Sequence, residues 1–330
     1  MRIHLAFKGT VIYVFAILLS VGKTMAQDPQ FSQYYANPIY TNPAFAGGSN
    51  VGRAVINYRS QWPGIAGTFR TFSASYDEHF DKLNGGIGFI ATADEAGVGT
   101  LRTLSFSGVY SYQIILSRYL TLRASVQAGF FQKTIDFSKL TFYDQLVRQR
   151  GFVNPTQEQP ITEPVFGENI AAGMVLYSSK FYAGFAVHNL TEPKQGFYDQ
   201  SASAIPRRYT AHAGLIIPVV ESRDAKKSSN LYPSVLYMQQ REFNQVNIGM
   251  YYNQGPFVIG GYFRQNNMNS DAFIAIAGIR TPKVKVGFSY DATVSRIRYG
   301  ARQSYEVSLS FELRKRAPKK KVRNIVCPQF

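Results

Sequence analysis

Two histidines are the first residues whose type suggests chemistry. His188, followed by Asn189, and His212 have the side chain of a general base, and serines are plentiful. An acyl hydrolase needs such a base within hydrogen-bond reach of a serine nucleophile and an orienting group. No motif ties a particular serine to either histidine, so the sequence assembles no triad. Asp94 and Glu95, near Gly97 and Gly99, are adjacent carboxylates of the kind that hold a cation. A calcium site takes six or more oxygens, and a solvated turn is the plainer reading of this pair. No Cys or His spacing suits zinc. Cys327 is the only cysteine, which excludes an internal disulfide. The expectation is a protein without catalytic residues, metal or cofactor.

A denser constellation is QDPQFSQYYANPIYTNPAFAG, residues 27–47. Pro29, Pro38 and Pro43 each remove a backbone donor and restrict the residue before them, so the stretch is too broken for a helix and is expected to be extended. It is too aromatic for a flexible linker. Phe31, Tyr34, Tyr35, Tyr40 and Phe45, set among Asn37, Pro38, Asn42 and Pro43, need a surface to receive them.

The segment ahead of it has the organisation of an export signal: Arg2 and Lys8, an apolar run from position 11 to 19, and Thr24-Met25-Ala26 before the expected cut. The run is too short to span a bilayer as a helix. The formal charge of +16 divides unevenly. With Arg2, Lys8 and Lys23 removed it is +13, and seven of those charges lie after position 313, Lys319, Lys320 and Lys321 among them. Export argues against a nucleic-acid partner despite this basicity. The tail reads as an interaction arm or a solvated end, and Cys327 with Pro328 and Phe330 as a buried chain end.

The elements that must position these residues are strands. From Leu120 to Phe130 apolar side chains alternate with Thr121, Arg123, Ser125, Gln127 and Gly129, and similar alternation surrounds Tyr209, Phe288 and Val307. Period two over about nine residues, with charges on one face, is the pattern of a transmembrane barrel strand. Fourteen segments fit: 50–59, 68–80, 85–93, 101–113, 120–133, 167–177, 180–189, 207–217, 230–240, 244–253, 256–266, 271–280, 283–292 and 303–313. Most connections after odd strands are long, chiefly 134–166 and 190–206, and most after even strands are short. The 218–229 turn is too long for that rule and 241–243 too short. A soluble sandwich would also alternate, but it would not sort its loops by parity or supply 47 Phe and Tyr to two interfaces. Arg123, Gln127, Arg208, His212, Lys285 and Asp291 fall on the inner face, where charge pairing would fill the lumen. The fold expected is an all-β, antiparallel transmembrane barrel of about 14 strands.

The N-terminal motif, RSQWPGI at 59–65, GFSYDATVS at 287–295 and the end VCPQF at 326–330 resemble the PorP/SprF family of type IX secretion outer-membrane proteins from Bacteroidota. The likeness covers the whole mature chain. The chain departs in having Gln329 where the family tends to carry a basic residue, and Tyr305 in a family Gly-Ser-His-Glu position. The resemblance implies a non-enzymatic barrel working with a periplasmic ring and lipoprotein subunits, or as surface partner of a secreted adhesin bearing a type B C-terminal domain. The alternative function is a passive porin. In this frame 1–26 is a signal peptide, 27–49 a periplasmic or lumen-entering plug or else a cap on the first strands, 50–313 the barrel and 314–330 a basic tail, with both termini periplasmic. Partner-docking candidates are the nine residues of the N-terminal motif named above, Trp62, Lys319, Lys320, Lys321, Cys327 and Phe330. Trp62 serves equally well as an anchor at the membrane interface.

Overall fold

Alternation of apolar and polar side chains becomes strand wherever it was read. The computed structural model describes residues 28–49, 51–64, 67–97, 100–147, 149–158, 163–197, 203–220, 228–267, 270–294 and 303–313. The leader 1–26, and the tail 314–330 with Lys319, Lys320, Lys321, Cys327 and Phe330, lie outside the described residues. Fourteen antiparallel strands form the wall: β1 (Gly52–Gln61), β2 (Phe69–Phe80), β3 (Gly85–Ala96), β4 (Leu101–Ile115), β5 (Thr121–Ile135), β6 (Val165–Tyr177), β7 (Phe181–His188), β8 (Arg208–Leu215), β9 (Ser229–Gln240), β10 (Phe243–Gln254), β11 (Phe257–Asn266), β12 (Ser270–Arg280), β13 (Val284–Thr293) and β14 (Gln303–Leu313). Each pairs with its sequence neighbours, and β1 pairs with β14 from Gly52↔Leu313 to Gln61↔Ser304, which closes the barrel. Closure leaves no unpaired edge among these strands, as a membrane core requires. No described helix is long and apolar enough to cross a membrane; the strands make the crossing.

The two faces have opposite chemistry. Along β1, Arg53, Asn57 and Arg59 are buried while Ile56 and Tyr58 are exposed outward. Along β5, Thr121, Arg123, Ser125 and Gln127 are buried while Val126 and Phe130 are exposed. Outside, Phe89, Phe106 and Phe130 form a cross-strand ladder with ring centroids 6.2 Å apart at each step. An apolar exterior over a polar interior is the arrangement a lipid-facing barrel needs.

Two details depart from the sequence reading, and a third bears on the connection it found too short. β3 continues to Ala96 and takes Asp94 and Glu95 out of the expected turn. Asp94 accepts a hydrogen bond from Thr71 Oγ1 at 2.6 Å, and Glu95 lies 3.6 Å from Arg102 Nε, so partners across the sheet hold them. Among the described residues no three metal-binding side chains converge. The strand expected over 207–217 breaks after Leu215 and resumes at Ile217–Val220, which pairs with β9 with a register shift at Pro218, a residue lacking an N–H for the ladder. The 241–243 connection is a tight hairpin, with Gln240 paired to Phe243 and Arg241 at φ 56°.

Candidate functional site

The interior is filled by the chain itself. Asp28 to Ser49 passes through the lumen, and Ser32 to Thr41 and Asn42 to Ser49 are buried apart from partial exposure at Ala36 and Tyr40. This segment is not extended. It folds as three single helical turns, Tyr34–Ala36, Pro38–Thr41 and Pro43–Phe45, with Asn37 and Asn42 at the N-caps of the second and third. Pro38 and Pro43 sit first in their turns, where a missing N–H costs nothing and the fixed φ already suits a helix. The same residues that prevent a long helix therefore start two short ones.

One end lies beside the long connections. Asp28 stands 3.4 Å from Arg208 Nη1 at the start of β8, accepts from Asn189 Nδ2 at 2.9 Å, and donates its backbone N–H to Gln240 Oε1 at 3.1 Å. Arg208 also donates to the Tyr40 hydroxyl at 3.2 Å and lies 4.9 Å over that ring, whose other neighbour is Phe31. Asp28 thus stands at the long-connection rim, because the segment runs the length of the lumen before β1 begins at the short-turn end.

Mid-lumen, four charges hold Ser32 and Gln33. Asp291 accepts from the Ser32 hydroxyl at 2.6 Å, Arg59 Nη2 at 3.0 Å and Arg264 Nη1 at 3.1 Å. Glu306 accepts from the backbone N–H of Ser32 at 2.7 Å and of Gln33 at 3.2 Å, with Arg59 Nη1 at 3.4 Å. Two guanidinium groups offset two carboxylates, so the cluster is formally neutral, with Glu306 holding the plug backbone and Asp291 the Ser32 hydroxyl. Tyr34 and Tyr35 then enter a ring cluster with Tyr262 and Tyr251, and the Tyr34 hydroxyl lies 2.7 Å from Ser234 Oγ.

Asn42 fixes the next level. Its Nδ2 donates to Met174 O at 3.0 Å and Phe185 O at 3.2 Å and lies 3.0 Å from His212 Nε2, while its Oδ1 caps Ala44 N. Gly173 makes this approach feasible, since a Cβ there would stand 2.1 Å from Asn42 Oδ1. Phe45 packs on His212 with centroids 5.1 Å apart. His188 Nε2 lies 3.3 Å from Thr41 O. Both histidines considered for catalysis are thus occupied with the plug. At the short-turn end Ala46 O accepts from Arg123 Nη1 and Ser111 Oγ, each at 2.6 Å, and Gly47 N donates to Asp77, which is paired with Arg53 at 2.9 Å.

The structure therefore gathers Phe31, Tyr34, Tyr35, Asn37, Pro38, Tyr40, Asn42, Pro43 and Phe45 along one interior path. Trp62 stands apart at the long-connection rim, at φ 55°, edge-on to Phe69 with centroids 5.8 Å apart. Of the expected lumen residues, Arg123, Arg208, His212 and Asp291 contact the plug, while Lys285 Nζ donates to Glu312 Oε1 at 2.6 Å. Sequence reading did not pick out Glu306, Arg59 and Arg264. Their signal was a charge at an inward position of an alternating strand, but depth along the lumen has no sequence signature.

The family model described as type IX secretion system membrane protein PorP/SprF matches residues 23–311. No curated protein matches the chain. Among solved structures, the Acinetobacter baumannii outer membrane protein Omp33 is 8% identical, with 81% of this chain and 100% of that chain covered at a TM-score of 0.45. A Pseudomonas aeruginosa FadL homologue is 12% identical, with 84% and 94% covered at 0.42. A mutant of the Rh. blastica porin is 9% identical, with 80% and 99% covered at 0.32. The assignment rests on the family match. A closed β-barrel with an apolar exterior, matched over nearly all its described length by that model, belongs to the PorP/SprF family of type IX secretion outer-membrane proteins.

Proposed function

We propose that this outer-membrane barrel acts in type IX secretion as a closed, non-enzymatic docking partner rather than as a conduit. The observation that carries this reading is the lumen occupied by residues 28–49 and clamped by the Arg59, Arg264, Asp291 and Glu306 cluster. A passive porin needs a continuous aqueous path, and here buried tyrosines and ion pairs stand in it. In this reading the 134–166 and 190–206 connections and Trp62 face outward and hold a secreted adhesin with a type B C-terminal domain. The nine motif residues from Phe31 to Phe45 keep the barrel shut and shaped for that task. The basic tail, with Lys319, Lys320, Lys321, Cys327 and Phe330, enters the periplasm and meets an acidic face of the ring or lipoprotein subunits. The leader is removed on export.

Surface and medium proteomes of wild type and a deletion strain test the proposal. Loss of many exported proteins makes the barrel a core part of the apparatus, and loss of one or two makes it a dedicated cargo partner. An unchanged secreted set with reduced small-solute uptake would replace the docking reading with the porin.

A further inference from the structure

The plug does not fill the whole lumen. Above Asp28, Pro29, Gln30 and Tyr40 a cavity of about 470 Å³ opens at the long-connection end, within the roughly 300–1,000 Å³ usual for small-ligand sites. Its composition differs from the charge-clamped levels below. Trp62, Phe69, Phe131 and Tyr40 supply aromatic surface, and Asn169, Gln127, Gln195, Thr71 and Thr103 supply amides and hydroxyls. The described ends of the 190–206 connection build one side, with Lys194 bridged to Ala204 and Gln195 N–H donating to Ser203 O at 2.8 Å.

Polar side chains of Lys133, Asn169 and Gln195 line the cavity, while Asn169 Oδ1 and Arg208 Nε are themselves turned away from solvent and lack a hydrogen-bond partner among the described residues. Lys133 Nζ donates to the neutral Gln195 Oε1 at 2.7 Å, which among the described residues leaves two of its three N–H donors unassigned. The amides and hydroxyls of the lining both donate and accept, so a ligand supplying both donors and acceptors is favoured. The formal charges of Asp28, Asp94, Lys133 and Arg208 cancel, which gives an ion no net attraction. A hydroxyl both donates and accepts, and the C–H face of a pyranose suits an aromatic ring.

We propose that this vestibule binds a neutral sugar of one or two rings, with Lys133, Asn169 and Gln195 meeting its hydroxyls and Trp62 beside it. The site does not depend on which secretion partner the barrel serves. Trp62 is the only tryptophan in the chain, so its emission reports occupancy directly. The full-length barrel in an amine-oxide detergent, which avoids sugar headgroups, is titrated with glucose, galactose, mannose, N-acetylglucosamine and maltose, and with trialanine as the peptide control. At least one sugar is expected to give a saturable shift with a dissociation constant of about 0.1–10 mM. Lys133→Met and Asn169→Leu are each expected to weaken it about tenfold. Gln195→Ala, in a connection outside the barrel wall, is expected to weaken binding in the same direction and serves if the strand variants fail to fold. Silence of every sugar to about 50 mM in both fluorescence and calorimetry overturns the proposal. So does saturable binding of trialanine alone, or sugar binding that all folded variants retain.

Discussion

Asp291 receives a hydroxyl and two guanidinium groups, and each answers to a different part of the fold: Ser32 on the plug, Arg59 on β1 and Arg264 on β11. Removing it leaves two buried cations with Glu306 as the remaining carboxylate of the cluster. Breaking a buried ion pair by deleting one partner typically costs about 3–5 kcal/mol. Asp291→Ala should therefore lower the temperature at which the barrel loses its folded mobility in detergent gels, and should expose the 28–49 segment to protease. An unchanged melting temperature and a protected plug would mean that the cluster does not hold the segment. Gly173 makes a sharper test, because a substitution by alanine adds one methyl group and changes no charge. A Cβ at 173 would meet Asn42 Oδ1 at 2.1 Å and Ala186 Cβ at 3.2 Å, so Gly173→Ala should loosen the plug near Asn42 while the strands stay paired. Protease cutting near Asn42 with unchanged strand circular dichroism is the expected signature. Alternation revealed that Asp291 points inward and gave no sign that residue 173 faces residue 42. That knowledge requires the register of β6 and the depth of the plug, and both arise only when the barrel closes.

At the scale of elements, the strands were legible and the plug's local form was not. A half-buried strand writes its two environments into alternate residues, and β4, β5 and β14 do so almost without interruption. A single helical turn has no period to read, so Asn37-Pro38 and Asn42-Pro43 suggested extended chain although each pair forms a cap and first turn. The two asparagines nevertheless behave differently. Asn42 caps Ala44 and bonds two strand carbonyls, whereas the buried Asn37 amide has no side-chain partner among the described residues. Asn42→Ala should cost about 1–2 kcal/mol, and Asn37→Ala should be close to neutral because no bond is lost. Chemical-denaturant midpoints of the two variants decide this, and equal losses would contradict the assignment. The 134–166 connection carries its own device. Asp144 accepts from Gln157 N at 2.6 Å and from Thr156 Oγ1, and these bonds, the Gln157 N–H foremost, hold its carboxyl below the ordinary 3.8. A depressed carboxyl contributes its stabilisation above the unfolded value and loses it as pH falls through the folded one. Protease sensitivity of this connection should thus stay flat from neutral pH down to 3.8 and rise only below it, and Asp144→Asn should show raised sensitivity already at neutral pH.

At the scale of the whole molecule, the direction of the plug determines where each end of the described chain lies. β14 ends at Leu313 opposite Gly52, at the short-turn end, while Asp28 lies at the opposite end with Asn189 and Arg208. Short turns of outer-membrane barrels face the periplasm, so the tail is expected to depart inward and the first residues of the plug to stand near the outer surface. Three single cysteines in a Cys327→Ser background test this with a membrane-impermeant maleimide on intact cells. Tyr143 in the 134–166 connection is 89% exposed and Tyr119 in the β4–β5 turn is 82% exposed, so accessibility to solvent is equal and only sidedness separates them. Tyr143→Cys should label on intact cells and Tyr119→Cys only after the membrane is opened. Gln30→Cys, in the floor of the vestibule, should follow Tyr143→Cys at a slower rate set by its depth. Labelling of Tyr119→Cys alone would invert the barrel. Labelling of Tyr143→Cys with Gln30→Cys reached only from the periplasm would mean that the segment does not thread the lumen in the cell, and with that the closed-barrel reading would fall.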